Sequence, residues 1–360
     1  MNESPNTPRV LLSTQSLALG NGGISTVARM TASVLSSRCR IEALACQDET
    51  DHRLGTISVR AFANRRFPFF LANLMASQHA THVIYDFAGT ARAHVDLPFR
   101  RRPYAVWVHG WEVWEAASPK YLRAISGAGL VLANSAYTVA RADRALPNGV
   151  EVIVCPLGTP QDDPPPKTGP GDGPPTVMLV GRADELFAKG HDLLIEIWPD
   201  VVSAVPDAQL LLVGGGSALD RVHELAATSP TRNSIEVAGL VPEDLLDAYW
   251  RRTTVFAMLG FAEGFGLVYA EAMRRGLPVV ASTEDAGQEI NVDGVTGYNV
   301  SRSSKKRLIE VLVTLLRNRD LARALGSAGH LRWTDQYTFA AFERRLAAAT
   351  DPFLMMRERS

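Results

Sequence analysis

Glu263 and Glu271 stand with seven residues between them, around the turn Glu-Gly-Phe-Gly at 263–266. Carboxylates accept hydrogen bonds from hydroxyls, so this pair suits a polyhydroxylated ligand, with a sugar on one side and a ribose on the other. Gly264 and Gly266 let the backbone approach such a ligand closely. The helix that opens at Leu267 turns its free N–H groups outward there, a geometry that suits a phosphate. Glu271 lies about 6 Å along that helix from Leu267 at the standard rise. Arg182 and Lys189 form a second set, one after a strand and one at a helix start. Two cations so placed can meet a diphosphate and stabilise the charge that develops as it leaves. His109 ends a third strand, where ligands of open α/β sheets collect.

A regular alternation of strands and helices positions these groups. Arg9–Ser13 reads as a first parallel strand, followed by Gly20, Gly22 and Gly23 and a helix over about 25–36. Further buried strands are expected near Ile41–Cys46, Thr81–Asp86, Tyr104–His109, Leu130–Asn134 and Val150–Pro156. Ser135 reads as a helix cap or an acceptor contact. The segment 161–175 is rich in proline and glycine, unsuited to a core, and reads as a linker between domains. Alternation restarts with a strand at Thr176–Val180 and helices from His191, Ala218 and Pro242. Thr253–Leu259 leads into the Glu-Gly-Phe-Gly turn, and Gly276 with Pro278 ends the helix behind it. The remainder reads as three helices, 305–317, 321–333 and 338–348.

These motifs together resemble the nucleotide-sugar signature of retaining glycosyltransferases of family four. The segment from Gly181-Arg182 to Lys189-Gly190 resembles the family's phosphate-binding motif, and Gly22-Gly23 its diphosphate-facing loop. Pro156-Leu157-Gly158 departs from the family's Pro-Asn-Gly turn at Leu157. The resemblance implies an α/β fold of the GT-B type, two Rossmann-like domains with parallel sheets facing a central cleft. Residues 1–160 would form the acceptor-side domain and 176–335 the donor domain, with 336–360 crossing back to the first. It implies sugar transfer from a nucleotide-sugar, UDP- or GDP-linked, to a hydroxyl of a glycan or lipid-linked acceptor, with retained configuration. His109, Arg182, Lys189 and Glu263 would act in catalysis. Gly22, Gly23, Gly239, Leu240, Val241, Gly264, Phe265, Gly266, Leu267 and Glu271 would bind the donor. No Asp-x-Asp stands at a strand end, so departure without metal or other cofactor is expected.

Composition agrees with a two-domain enzyme and excludes other classes. The 360 residues are 46% apolar and 21% charged, an ordinary globular balance. A net charge of -1 gives no global pull toward nucleic acid. Cys39, Cys46 and Cys155 form neither a CxxC pair nor an even framework, which suits a reduced cytoplasmic setting. The start lacks the pattern of a signal peptide, and no apolar run approaches the roughly 20 residues of a membrane span. Phe67, Phe69 and Phe70 beside Arg65 and Arg66, with Arg100, Arg101 and Arg102, suggest docking on the anionic inner face of a membrane. A nicotinamide-dependent oxidoreductase on the Gly20–Gly23 turn would leave Arg182, Lys189 and both glutamates without a task. Cofactor absorbance would reveal such an enzyme, and donor hydrolysis would separate an enzyme from a noncatalytic nucleotide-sugar-binding scaffold.

Overall fold

The computed structural model describes residues 7–20, 22–96, 101–114, 117–143, 145–147, 149–163, 165 and 169–356. The chain divides into two compact units, one running to Pro160 and resuming at Phe339, the other spanning Gln161–Thr338.

In the first unit the chain runs β1 (Arg9–Thr14), α1 (Gly22–Ser36), β2 (Arg40–Ala45), β3 (His52–Leu54), β4 (Ile57–Ala61), α2 (Arg66–His79) and β5 (His82–Tyr85). It continues through α3 (Ala88–Ala91), β6 (Tyr104–Val108), α4 (Pro119–Ser126), β7 (Leu130–Ala133), α5 (Ala136–Ala142) and β8 (Val152–Val154). The sheet order is β3-β4-β2-β1-β5-β6-β7-β8, parallel throughout except for the β3–β4 hairpin at one edge. Strands β5, β6 and β7 are buried at every position, and such unbroken apolar runs belong to a sheet covered on both faces.

The second unit holds β9 (Thr176–Val180), α6 (His191–Ala204), β10 (Gln209–Val213), α7 (Leu219–Thr228), β11 (Ile235–Gly239), α8 (Glu243–Arg252) and β12 (Val255–Met258). Then come α9 (Leu267–Arg274), β13 (Val279–Ser282), α10 (Gly287–Ile290), β14 (Gly297–Val300), α11 (Lys305–Arg317) and α12 (Arg319–Gln336). Its sheet, β11-β10-β9-β12-β13-β14, is parallel throughout. The order reverses beside β9, so the carboxyl ends of β9 and β12 flank a topological switch point.

The last helix, α13 (Phe339–Leu354), belongs to the first unit. Phe342 is fully buried with its ring 6.3 Å from Trp107 of β6. Arg345 donates to the carbonyl of Pro156, and His82 meets the carbonyl of Met356 at 3.2 Å.

Three expectations need correction. The proline/glycine segment does not hang free: Gly169 and Gly171 donate to the carbonyls of Arg275 and Thr253, and Arg319 holds the carbonyl of Gly171 at 2.9 Å. Pro170 and Gly171 are buried, because glycine fits where a Cβ would collide with the Arg251 carbonyl. Phe69 is no surface anchor but packs at 5.5 Å on Phe62, on the core side of α2. Arg102 is buried too, donating to the carbonyl of Gln78 at 2.8 Å, while Arg101 is exposed and Arg100 lies outside the described residues. Among the described residues no helix is long and apolar enough to cross a membrane.

Candidate active site

In the second unit β9 delivers Gly181 and Arg182 at its carboxyl end. Arg182 is exposed and, among the described residues, has no hydrogen-bond or ion-pair partner. The turn that follows is pinned by Asp184, whose carboxylate accepts from the N–H groups of Leu186 and Ala188 at 3.1 and 3.0 Å. That turn presents Lys189 just before α6. Lys189 pairs with Glu263, which arrives on the loop after β12, and the two side chains are 23% and 21% exposed. Burial holds the ammonium below the ordinary lysine range, against the pull of Asp285 and Asp184.

Gly266 takes a left-handed conformation, φ 85°, immediately before α9. Any Cβ there would also run into the ring of Tyr269, so both backbone and space select glycine. Phe265 turns its side chain into the core, 6.1 Å from Tyr337, and only its backbone remains for a ligand. Leu267 and Glu271 are half-buried, and Gly264 is buried. At the edge of the same sheet Gly239 has φ 65° and its carbonyl accepts from Gly214 at 2.7 Å. Leu240 beside it is 83% exposed, and Val241 is half-buried.

Behind the Lys189–Glu263 pair sits Asp285, a residue the motifs do not include. It is completely buried, accepting from Gly287 N at 2.8 Å and from the Tyr269 hydroxyl at 3.3 Å, a proton it shares with the Met258 carbonyl at 2.9 Å. Burial pushes its carboxyl up to about 7, opposed by Gly287 N–H, Lys189, Tyr269 and Arg302. The only hint in sequence is an acidic residue shortly after the strand at 279–282.

In the first unit Asp86 follows β5 and is fully buried. It accepts from Thr14 Oγ1 at 2.6 Å, Gln15 N at 2.8 Å and Thr90 Oγ1 at 2.9 Å. Burial nonetheless pushes its carboxyl up to about 6. His109 is half-buried, and its Nε2–H donates to the Asp86 carbonyl at 2.7 Å. Its Nδ1 therefore remains an acceptor in the neutral ring, without a partner among the described residues. Glu112 accepts from His109 N at 2.5 Å through Oε1, and its buried Oε2 is unpaired. Ser135 caps α5, accepting from Thr138 N at 3.0 Å.

Helix α1 starts at Gly22, φ 86°, and Gly23, three residues earlier than expected. The loop before it is tied down by Asp48, which accepts from Ser16 Oγ at 2.5 Å and Leu17 N at 3.1 Å. This is the acidic residue just beyond β2 that a dinucleotide enzyme would turn toward a ribose. Here it is spent on the loop itself.

The structure thus brings Lys189 and Glu263 into contact, with Asp285 behind them, and gathers His109, Asp86 and Glu112 separately in the first unit. Among the described residues no group of three or more His, Cys, Asp or Glu side chains could hold a metal ion.

Solved structures define the fold. The Anabaena protein HepE in complex with UDP and glucose matches with a TM-score of 0.80 over 96% of this chain and 100% of that one, at 19% identity. A sucrose-phosphate synthase from Thermosynechococcus elongatus matches with a TM-score of 0.79, covering 95% and 98%, at 18% identity. The fold is that of the GT-B glycosyltransferases.

Residues 161–332 match the family described as Glycosyl transferases group 1. The chain is 31% identical over 208 residues to the GDP-mannose-dependent monoacylated alpha-(1-6)-phosphatidylinositol monomannoside mannosyltransferase of Corynebacterium glutamicum, covering 56% of this chain and 54% of that protein. A mannosyltransferase of Mycolicibacterium smegmatis is 29% identical over 255 residues, 66% of either protein. The chain spans about half the length of the first of these relatives.

Proposed function

We propose that this protein is a retaining glycosyltransferase that moves a sugar from a nucleoside-diphosphate donor to a hydroxyl, without a metal. One observation carries the reading: an exposed Arg182, unpartnered among the described residues, stands at the carboxyl end of β9, beside a turn whose Lys189 is held by a releasable carboxylate. Arg182 and Lys189 neutralise the diphosphate as it leaves. Glu263, freed from Lys189, orients the sugar, and Glu271 holds the ribose. His109 keeps the role that the resemblance implies, contact with the sugar, through Nδ1. The departing phosphate draws the proton of the attacking hydroxyl on the same face, so the anomeric configuration is retained.

The donor we favour is GDP-mannose and the acceptor a lipid-linked glycan, supported by the names of the mannosyltransferase relatives. A thermal-shift panel of UDP-, GDP- and ADP-sugars tests the donor, because a ligand bound only by the native state raises the melting temperature. GDP-mannose should give the largest shift, and no shift with any of the three would defeat the reading.

A membrane-bound acceptor also accounts for α2. Phe67, Leu71 and Met75 recur on one face and are 75%, 46% and 62% exposed, an apolar stripe at whose start stand the exposed Arg65 and Arg66. Such a helix can lie in an interface, with each basic side chain adding on the order of 1 kcal/mol on an anionic surface. Co-sedimentation with phosphatidylglycerol vesicles at low salt should capture the wild type and lose most of it in Phe67→Ser/Met75→Ser. If the wild type stays in the supernatant, a soluble acceptor replaces the lipid-linked one.

A further inference from the structure

Two carboxylates act on Lys189, Glu263 by direct pairing and Asp285 through its charge, and they differ in mobility. Glu263 stands on the Gly-rich loop, is 21% exposed, and can swing away into solvent or onto a sugar hydroxyl. Asp285 cannot leave. It is wholly buried, anchored by Gly287 N and the Tyr269 hydroxyl, and its neighbour Ala286 donates from N to the carbonyl of Glu263 at 3.1 Å. The space beside it is closed by Gly260, where a Cβ would strike Asp285 Oδ2.

The charges facing this carboxyl are few. Lys189 comes from the turn before α6, Tyr269 from α9, and Arg302 from the segment after β14. Arg302 is engaged elsewhere, with the carbonyl of Leu259 and with Asp192 at 4.0 Å. Asp184 and His191 lie beside Lys189 rather than beside Asp285. Lys189 is therefore the chief cation that balances Asp285. A diphosphate that takes over the ammonium brings fresh negative charge to the spot and leaves a buried carboxylate poorly compensated, which is costly.

We propose, on the function proposed above, that donor binding at Lys189 is coupled to protonation of Asp285: the diphosphate replaces Glu263 as the lysine's direct partner, its charge draws on the ammonium that balances Asp285, and Asp285 takes a proton from the buffer. Asp285 is on this account a positioning residue that keeps Lys189 charged before the donor binds, then becomes neutral under the ligand. Its carboxyl, already raised to about 7 by burial, is mostly ionised at pH 8 before binding, and the charge of the diphosphate must lift it well above 8 for nearly every molecule to take the proton.

The test is calorimetric titration of the full chain with UDP and with GDP at pH 8, in Tris and in phosphate, whose protonation enthalpies differ. At that pH the terminal phosphate of either nucleotide is already ionised, since its second pKa lies near 6. The wild type should take up close to one proton per nucleotide bound, by the linkage between binding and protonation. Asp285→Asn should bind with no proton uptake. Tyr269→Phe, which removes a donor to the carboxylate and leaves the empty site partly protonated, should take up less than the wild type. Uptake unchanged in both variants, or binding by the wild type without uptake, would overturn the assignment. Absence of binding by either nucleotide would instead defeat the glycosyltransferase reading, and the coupling with it.

Discussion

The two units carry polar clusters at the carboxyl ends of comparable parallel sheets, and they treat a buried aspartate in opposite ways. Asp86 in the first unit is satisfied by three neutral donors, Thr14, Gln15 N and Thr90, and His109 leans on its carbonyl. That network is closed. Asp285 in the second unit has one backbone N–H, one hydroxyl and the charge of a nearby lysine that pairs with Glu263. Its balance depends on charges that a ligand can take. A hydrogen-bonded network of neutral donors gives a rigid scaffold, whereas a network of exchangeable ions gives a binding site.

The largest expected break in this contrast is kinetic. Arg182→Ala or Lys189→Ala should lower turnover by about two orders of magnitude or more, the effect of removing one charge-stabilising donor. The melting temperature should change little for Arg182→Ala, whose side chain is exposed and unpaired among the described residues. Steady-state rates near wild type in either variant would take that cation out of the chemistry.

Asp86→Ala should show the reverse pattern. It strands the Gln15 N–H, while the Thr14 and Thr90 hydroxyls keep the carbonyls of Ser16 and Phe87, so urea unfolding should register a loss of about 1–3 kcal/mol. Turnover per folded molecule should fall far less than in Lys189→Ala. Unfolding at the wild-type midpoint would mean that the network contributes nothing.

A smaller effect lies in pH. Asp285 has a folded pKa raised above its unfolded value, so the stability it contributes is full below about 4 and is lost as pH rises through about 7. The melting temperature of Asp285→Asn relative to wild type should therefore climb between pH 5 and pH 8. A difference that stays flat across that window would show that the carboxyl titrates normally. Smallest of all is the effect of EDTA, which should leave turnover unchanged because cations rather than carboxylate-held metal face the diphosphate. Loss of activity on chelation, restored by manganese, would contradict this.

The placement of the candidate donor-side residues is legible in the sequence. Arg182, Lys189 and Glu263 sit on loops after strongly apolar strands, and a parallel sheet forces such loops to one edge. Their pairing was not legible, because Lys189 and Glu263 are 74 residues apart and meet only through the β9–β12 register. Asp285 and Asp86 escaped for a related reason: one acidic residue after a strand looks like any turn residue until burial is known. The hairpin at 52–61 was missed because its strands are short and half-exposed. Phe69 and Arg102 misled because a run of aromatic and basic residues does not say which members face inward. Helical spacing separates Phe67, Leu71 and Met75, which face out, from Phe69, Ala72 and Asn73, which face in.

The central claim is that the second unit's cations bind a nucleoside diphosphate. Equilibrium titration of the wild type and Arg182→Ala with GDP and UDP tests it most directly. Saturable binding by the wild type, weakened at least about tenfold (about 1.4 kcal/mol) in the variant, is the predicted result. Equal affinity in both proteins would contradict it.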